Sequence, residues 1–394
     1  MTQVRTQVGI VGGGPAGLLL SHLLHQAGIE SVLLESRSRE YVEKRVRAGV
    51  LEQGTVDLLI ATGLGARLQR EGLIHRGVEL RFDGRGHRIA LSELTGGRAI
   101  TIYGQQEVVK DMIAARLAAG ADIRFEATDT SVHGIDTATP AIRCVHNGDA
   151  VEIRCDFIAG CDGFHGICRD AIPESALSIW EREYPFRWVG ILVAAPPSSD
   201  ELIYAYHDRG FALHSLRSPE VTRLYLQCSH TDTIEQWPDE RIWEELHLRL
   251  RTNDGWTLTE GPILEKGVTA MRSFVAEPMQ HGRLFLAGDA AHIVPPTGAK
   301  GLNLAVHDVR ILADAMTHWF RTGATTELDA YSATCLRRVW RVQDFSAWMT
   351  AMLHRMPSDT GFDSRLQRAR LAYVVSSRAA ATSLAENYVG LERV

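Results

Sequence analysis

Apolar positions change period several times along the chain, and the changes lay out its elements. Val8–Val11 is a short β-prone run, residues 18–26 carry helical character stopped by Gly28, and Ser31–Leu34 reads as a second strand ending at Glu35. Residues 55–60 look helical, and residues 101–103 lead into a helix over 107–119 closed by Gly120. Residues 141–146 and 150–158 flank Asn147-Gly148, a two-residue hairpin signal that delivers the chain into AGCDGFHG at 159–166. From about Trp180 strands dominate, at 188–193, 201–206, 211–217 and 221–228. An apolar run at 283–287 opens into GDAAHIVPPTGAKGLN, and the remainder is helical. Residues 345, 348, 349, 352, 353 and 356 are apolar at helical spacing, a face for core packing or a subunit contact; Arg337, Arg338 and Arg341 beside it read as a solvated or salt-bridged face.

This order predicts a mixed α/β fold. A Rossmann-like nucleotide-binding domain spans residues 1–180 with inserted segments, a sheet-rich domain spans 181–293, and a helical region spans 294–394. With 394 residues, 45% hydrophobic and 23% charged, the chain can bury a large core, which excludes disorder as its main state. A net charge of −6 offers no general attraction for phosphate backbones or anionic lipid, so neither nucleic acid nor membrane is an expected partner. Six cysteines without a CxxC pair predict neither a disulfide framework nor a metal site, and point to the cytoplasm. The apolar run near the N-terminus is broken by glycines and Pro15, so it reads as strand, turn and helix, not a leader.

Gly12, Gly14 and Gly17 fill GxGxxG between the first strand and helix. Gly12 permits a tight turn, Gly14 lets a pyrophosphate approach the backbone, and Gly17 lets the helix pack on the strand; Glu35 stands where a carboxylate meets ribose hydroxyls. One such unit does not separate FAD from NAD. Farther along, Ser215 and Arg217 lie two apart on one strand and face one way, with Tyr204 and Tyr225 on the strands before and after. An arginine fork matches a carboxylate, although a surface ion pair is the plainer reading of Arg217 alone.

GGGPAG at 12–17, RAGVLEQG at 47–54, CDGFHG at 161–166, LFLAGDAAHIVPP at 284–296 and AENYVGL near the C-terminus together resemble the single-component FAD-dependent aromatic hydroxylases, from about Val8 to Leu391. The resemblance implies FAD held at the glycine turn, with Glu35 on the adenosine ribose, Arg47 and Gln105 on the diphosphate and ribityl region, Asp162 serving both FAD and the nicotinamide nucleotide, and Asp289, read as buried, on the ribityl chain. A helix starting between Gly298 and Leu302 would face the flavin pyrimidine edge, with the carbonyl of Pro296 and the side chain of Asn303 shaping the flavin side. It also implies an aryl acid, 4-hydroxybenzoate, whose carboxylate meets Arg217, Ser215 and Tyr225 and whose phenolic oxygen meets Tyr204, with a proton relay through Tyr388 to His75. Arg47, His165 and Arg272 would meet NADPH or NADH, with Arg223 assisting flavin movement; Ser36 stands where an arginine favours the 2′-phosphate, although Arg37, Arg39 and Tyr41 are close. The implied reaction is C3 hydroxylation with O2 through a flavin hydroperoxide, by a homodimer. A hydroxylase of another aryl acid, a flavin-dependent reductase and a non-catalytic FAD-binding protein are the alternatives, the lack of CxxC counting against a disulfide reductase.

Overall fold

The computed structural model describes residues 1–45 and 49–390. Leu284–Leu286, Phe157–Gly160, Val8–Val11, Ser31–Leu34 and Asp122–Arg124 run parallel in one sheet, with Gln280–His281 added antiparallel at the edge. Val8–Val11 is buried at every position, as a parallel strand covered on both faces requires. Helix Pro15–Gln26 packs against helices Gln105–Ala118 and Gly301–Thr322. It starts three residues before the apolar period does, because Pro15 has the backbone angle of a first helical residue and no N–H to lose there.

A second sheet joins Thr2–Arg5, Asp149–Arg154, Ala141–His146 and Thr128–His133. Its hairpin turns at Asn147 (φ 54°) and Gly148 (φ 83°), both left-handed as a two-residue hairpin demands. The single strand expected over 150–158 is two strands in two sheets. The Cys155 N–H leaves the hairpin for Pro140 O (3.0 Å) and the Asp156 N–H bonds Gln7 O (2.9 Å), which hands Phe157–Gly160 to the parallel sheet.

The largest sheet is ordered His292–Ile293, Ile263–Glu277, Ser178–Val193, Val221–Ser229, Ala212–Ser218, Leu202–Ala205, Val78–Phe82 and Arg85–Ile89. Ser178–Val193 begins ten residues before the strand expected at Trp188, because its first half is mostly exposed and mixes apolar with charged residues, which hides the strand from an apolar pattern. Val78–Phe82 and Arg85–Ile89, from the first third of the chain, extend this sheet through parallel pairing with Leu202–Ala205. A small sheet is ordered Val50–Leu51, Ile100–Ile102 and Leu73–His75.

Four helices close the described chain: Gly301–Thr322, Thr326–Leu353, Gly361–Ser376 and Arg378–Val389. Phe345, Met349, Met352 and Leu353 share one buried apolar cluster with Trp188, Tyr204 and Tyr388, so this face is core and not a subunit contact. Arg338 is likewise no solvated face: its guanidinium bonds the buried Glu52.

Candidate active site

The glycine turn is shaped by two collisions that glycine avoids. A Cβ on Gly12, whose φ is +108°, would lie 2.2 Å from Cys161 O, and one on Gly17 would lie 2.0 Å from Gly12 O. Gly14 differs: a Cβ there meets nothing within 4 Å. Open space thus faces Gly14 at the N-terminus of helix Pro15–Gln26, whose first turn carries no acidic residue. Donor N–H groups, the positive end of a helix and room beside the backbone suit a diphosphate. Glu35 closes the turn from the next strand, accepting the Gly13 N–H (2.7 Å) and the Arg37 N–H (2.8 Å).

Asp162 accepts the Cys168 N–H through Oδ2 (2.9 Å), while its Oδ1 is buried with no hydrogen-bond partner. Burial pushes its carboxyl above the usual range. An orphaned acceptor next to the Gly12 turn is what a bound polar group would satisfy. Asp289 is exposed, not buried as expected, and lies in the short 3₁₀ turn Gly288–Ala290 without capping it. Sequence reading overlooked what holds that turn. Asp308 Oδ2 accepts the Gly288 N–H (3.0 Å) and bonds His292 Nε2 (2.6 Å), in a pair hidden from solvent.

The helix expected from Gly298 to Leu302 starts at Gly301. Before it, Pro296–Gly298 forms a 3₁₀ turn and Ala299 sits left-handed at φ 55°, a conformation a side chain resists. Asn303 holds it: its Nδ2 donates to Ala299 O (3.1 Å) and Val50 O (3.0 Å), and its Oδ1 accepts from Glu52 N (2.9 Å) and Thr55 Oγ1 (2.8 Å). With its amide committed to four protein groups, Asn303 acts as a brace. The Pro296 carbonyl accepts the Ala299 N–H (2.9 Å), and Leu302 is half-buried in the first helical turn.

A cavity opens between this turn and the largest sheet. Strand register builds one wall: Tyr204 pairs with Leu213, Leu213 with Tyr225 and Tyr225 with Gly190, while Ser215 pairs with Arg223 on the adjoining row. Residues two apart share a face, so Tyr204, Ser215, Arg217, Arg223 and Tyr225 all line the cavity with Trp188, Leu202, Leu213, Pro296 and Ala299. A Cβ on Gly190 would come within 3.3 Å of the Tyr225 ring, so glycine there makes room for it. Among the described residues the lining carries two arginines and no carboxylate. Burial, then the nearby Arg223, lowers Arg217 to about 10, and Arg223 has Nε and Nη1 buried without partners. Such a wall favours an anion.

At the far end Tyr204 and Tyr388 share a hydrogen bond between their hydroxyls, both fully buried. Burial raises both phenols above their ordinary range, and for Tyr204 the bond to Tyr388 opposes that rise. The Tyr388 carbonyl accepts from Lys300 Nζ (2.8 Å), and Lys300, itself buried, pairs with Glu52 (2.7 Å). His75 is buried with no protein hydrogen bond at either ring nitrogen, and burial lowers it to about 4. No direct hydrogen bond joins it to Tyr388.

The residues expected at the nicotinamide nucleotide fall into two groups. His165 is exposed, its ring 4.9 Å from Phe164, and Arg272 stacks over the same ring at 4.6 Å while pairing with Glu181 (3.0 Å). Phe164 and Arg169, 5.1 Å apart, complete this cluster and carried no sequence signal beyond the CDGFHG run. Ser36, Arg37 and Tyr41 lie apart from it, after the second parallel strand, where Arg37 covers the exposed Tyr41 ring at 5.4 Å. Arg47 lies outside the described residues. Gln105 opens helix Gln105–Ala118 behind the Gly104 cap, and its neighbour Gln106, unnoticed in the sequence, accepts a hydrogen bond from Arg217 Nη2.

Residues 5–346 match the family described as FAD binding domain. The chain is 49% identical to the p-hydroxybenzoate hydroxylase of Acinetobacter baylyi over 99% of its length and 96% of that protein. It is 27% identical to the 6-methylpretetramide 4-monooxygenase of Streptomyces rimosus, covering 94% and 89%. In structure it resembles the p-nitrophenol 4-monooxygenase of Pseudomonas putida over the whole of both chains, with a TM-score of 0.84 at 21% identity, which is a likeness of fold. The glycine turn with open space before Gly14, the orphaned Asp162 oxygen beside it and this match across the whole chain lead to one conclusion: the protein is an FAD-dependent monooxygenase and belongs to the family of flavoprotein aromatic hydroxylases.

Proposed function

We propose that this enzyme hydroxylates 4-hydroxybenzoate at C3, using NADPH or NADH and O2, to give 3,4-dihydroxybenzoate and water. The observation that carries the reading is the cavity's chemistry: Arg217, Ser215 and Tyr225 on two neighbouring strands of its wall, and beside them on the next strand Tyr204, bonded to Tyr388. A rigid para-substituted ring with one acidic and one phenolic end matches that spacing of chemistry, and the identity with the Acinetobacter p-hydroxybenzoate hydroxylase supports it.

FAD, when bound, supplies the hydride acceptor and the oxygen-activating centre. Gly12, Gly14 and Gly17 with Glu35, Gln105, Asp162 and Asp289 would hold it, Arg47 is assigned to the same task, and the turn from Pro296 through Gly298 to Leu302 and Asn303 would shape its redox end. Arg217 anchors the carboxylate with a planar fork. Tyr204 takes the proton of the 4-hydroxyl while passing its own to Tyr388, which raises electron density at the carbon ortho to that oxygen. Because burial disfavours a phenolate on either tyrosine, the proton moves along neutral hydroxyls and is not stored on one. Beyond Tyr388 a bridging group continues the relay to His75. Trp188, Leu202 and Leu213 keep the ring's surroundings dry.

The Phe164, His165 and Arg272 cluster receives the nicotinamide nucleotide, with Arg223 at the cavity assisting the flavin's movement. Ser36 supplies no charge for a 2′-phosphate, so NADH serves appreciably alongside NADPH unless Arg37 takes the role. A cytoplasmic homodimer belongs to the same proposal; no helix among the described residues is long and apolar enough to cross a membrane. The test is O2 uptake and product identification with a panel of hydroxybenzoates. Stimulation by 4-hydroxybenzoate with 3,4-dihydroxybenzoate as product is expected, and stimulation by a different aryl acid alone would overturn the substrate assignment.

A further inference from the structure

We infer that His354 is a positioning residue for the aryl cavity: it takes the indole N–H of Trp188 and, through Thr350 and Thr297, ties that wall to the turn carrying Pro296, so that the gap between them suits one breadth of ring. The inference rests on the aryl-acid reading of the cavity and adds to it the group that sets how broad a ring is accepted.

Trp188 and Pro296 both line the cavity, Trp188 from the long strand Ser178–Val193 and Pro296 from the 3₁₀ turn before helix Gly301–Thr322. Behind them four buried side chains form one run of hydrogen bonds. Trp188 donates from its indole nitrogen to His354 Nε2 (2.8 Å), His354 Nδ1 lies 3.0 Å from Thr350 O, and Thr350 Oγ1 lies 2.9 Å from Thr297 Oγ1. Thr350, in the last turn of helix Thr326–Leu353, and His354, which follows that helix, thus serve both walls.

Each donor in the run has one direction. A carbonyl oxygen only accepts, so the proton of His354 sits on Nδ1; Nε2 of the neutral ring is then an acceptor, which is what an indole N–H requires. Burial lowers His354 to about 3, which keeps the ring neutral. Thr350 gives its hydroxyl proton to Ser346 O (2.7 Å), so Thr297 donates to Thr350. Phe186 stacks on the His354 ring at 4.6 Å and 16°, and Phe211 on the indole at 5.1 Å and 22°, so aromatic packing supports the bond on both rings. An apolar residue at 354 would leave a buried indole N–H without its acceptor, and the ring would then turn toward the polar groups of the cavity.

The experiment compares dissociation constants of the holoenzyme for 4-hydroxybenzoate and for 3,5-dimethyl-4-hydroxybenzoate, which keeps the span from acid to phenol and is only broader, from the flavin absorbance change. Flavin content and melting temperature serve as the folding check. The wild type should reject the two methyl groups by at least about tenfold, and His354→Leu should shrink that ratio at least about fivefold. His354→Gln, whose amide oxygen accepts the same N–H, should keep the ratio within about twofold of the wild type. In a Trp188→Phe background, which has no N–H to hold, His354→Leu should move the ratio by less than about twofold. If His354→Leu keeps the wild-type ratio, if the Gln variant behaves as the Leu variant does, or if the effect persists in the Phe background, His354 is a packing residue and the inference falls. If His354→Leu does not fold, Thr297→Val decides: it removes only the last hydroxyl of the run, and an unchanged ratio there overturns the inference equally. Failure of the aryl-acid reading itself is distinguishable, because the wild type would then bind neither acid.

Discussion

The nucleotide end and the aryl end of this molecule are specified in opposite ways. At the glycine turn the determinants are backbone: Gly12 and Gly17 exist because a Cβ would strike a carbonyl about 2 Å away, and Gly12 and Cys161 are held by backbone bonds to Leu34 O (2.8 Å) and Val11 O (2.7 Å). In the aryl cavity they are side chains drawn from remote segments, with Tyr204 meeting Tyr388 across 184 residues and Lys300 meeting Glu52 across 248. Damage to the first should therefore cost the fold or the cofactor outright, and damage to the second should cost one chemical step at a time.

The sharpest break in the comparison lies within the glycine turn. Gly14→Val projects into open space and should leave a folded protein without flavin, whereas Gly17→Val collides with Gly12 O and should yield little soluble protein. Soluble yield and the flavin-to-protein absorbance ratio separate the two outcomes; normal flavin in Gly14→Val would refute the assignment of that space to a diphosphate. Next in size is Tyr204→Phe. Substrate should still bind through Arg217 and Ser215, but hydroxylation should fall by about 10²- to 10⁴-fold, with reducing equivalents diverted to H2O2. The ratio of 3,4-dihydroxybenzoate formed to nicotinamide nucleotide oxidised reads this, and full coupling would leave Tyr204 a packing residue. Smaller again is Arg217→Lys, which exchanges a two-bond fork for one ammonium and should weaken 4-hydroxybenzoate roughly ten- to a hundredfold with flavin content unchanged.

The smallest expected effect is a contrast in pH response. On the aryl side His75 and His354 are buried neutral, at about 4 and about 3, with His214 on the strand Ala212–Ser218 at about 4; burial lowers each one. A depressed histidine gives stability that is full above its unfolded value near 6.5 and is lost as pH falls toward the folded value, at up to ~1.4 kcal/mol per pH unit for each group. His292 has the opposite sign: burial lowers it, but the charge and hydrogen bond of Asp308, with Asp289 and a backbone bond, together raise it; its contribution is full below about 6.5 and is lost as pH rises through the folded value. Denaturant midpoints between pH 6.5 and 4.5 should fall, and His354→Gln should flatten that fall by removing one titrating group. An identical slope in the variant would show that His354 does not titrate in this window. The substitution also touches Trp188, whose indole donates to His354 Nε2 (2.8 Å), so its midpoint at pH 7 is the reference.

Legibility followed the same division. The run Val8–Val11, Gly12 to Gly17, and Ser31–Leu34 ending at Glu35 was readable because strand, turn and helix signals there are consecutive in the chain. Ser215 with Arg217, and Tyr204 and Tyr225 on flanking strands, were readable from the period of two. Gln106 was not, since a glutamine in the first turn of a helix is ordinary until a guanidinium 111 residues away is folded onto it. Nor was the exposure of Asp289, or the Asp308–His292 pair that fixes its turn.

By itself the sequence determined where the backbone must turn, which strands alternate and which residue types could meet a carboxylate or a ribose, because steric limits and periodicity act between near neighbours in the chain. Only the tertiary structure decided that Lys300 is buried against Glu52 and Tyr388, that Asn303 spends its amide bracing a left-handed Ala299, and that Arg217 donates to the Gln106 amide. Those outcomes depend on which distant groups share a low-dielectric space, where a buried charge or donor takes whatever partner packing supplies.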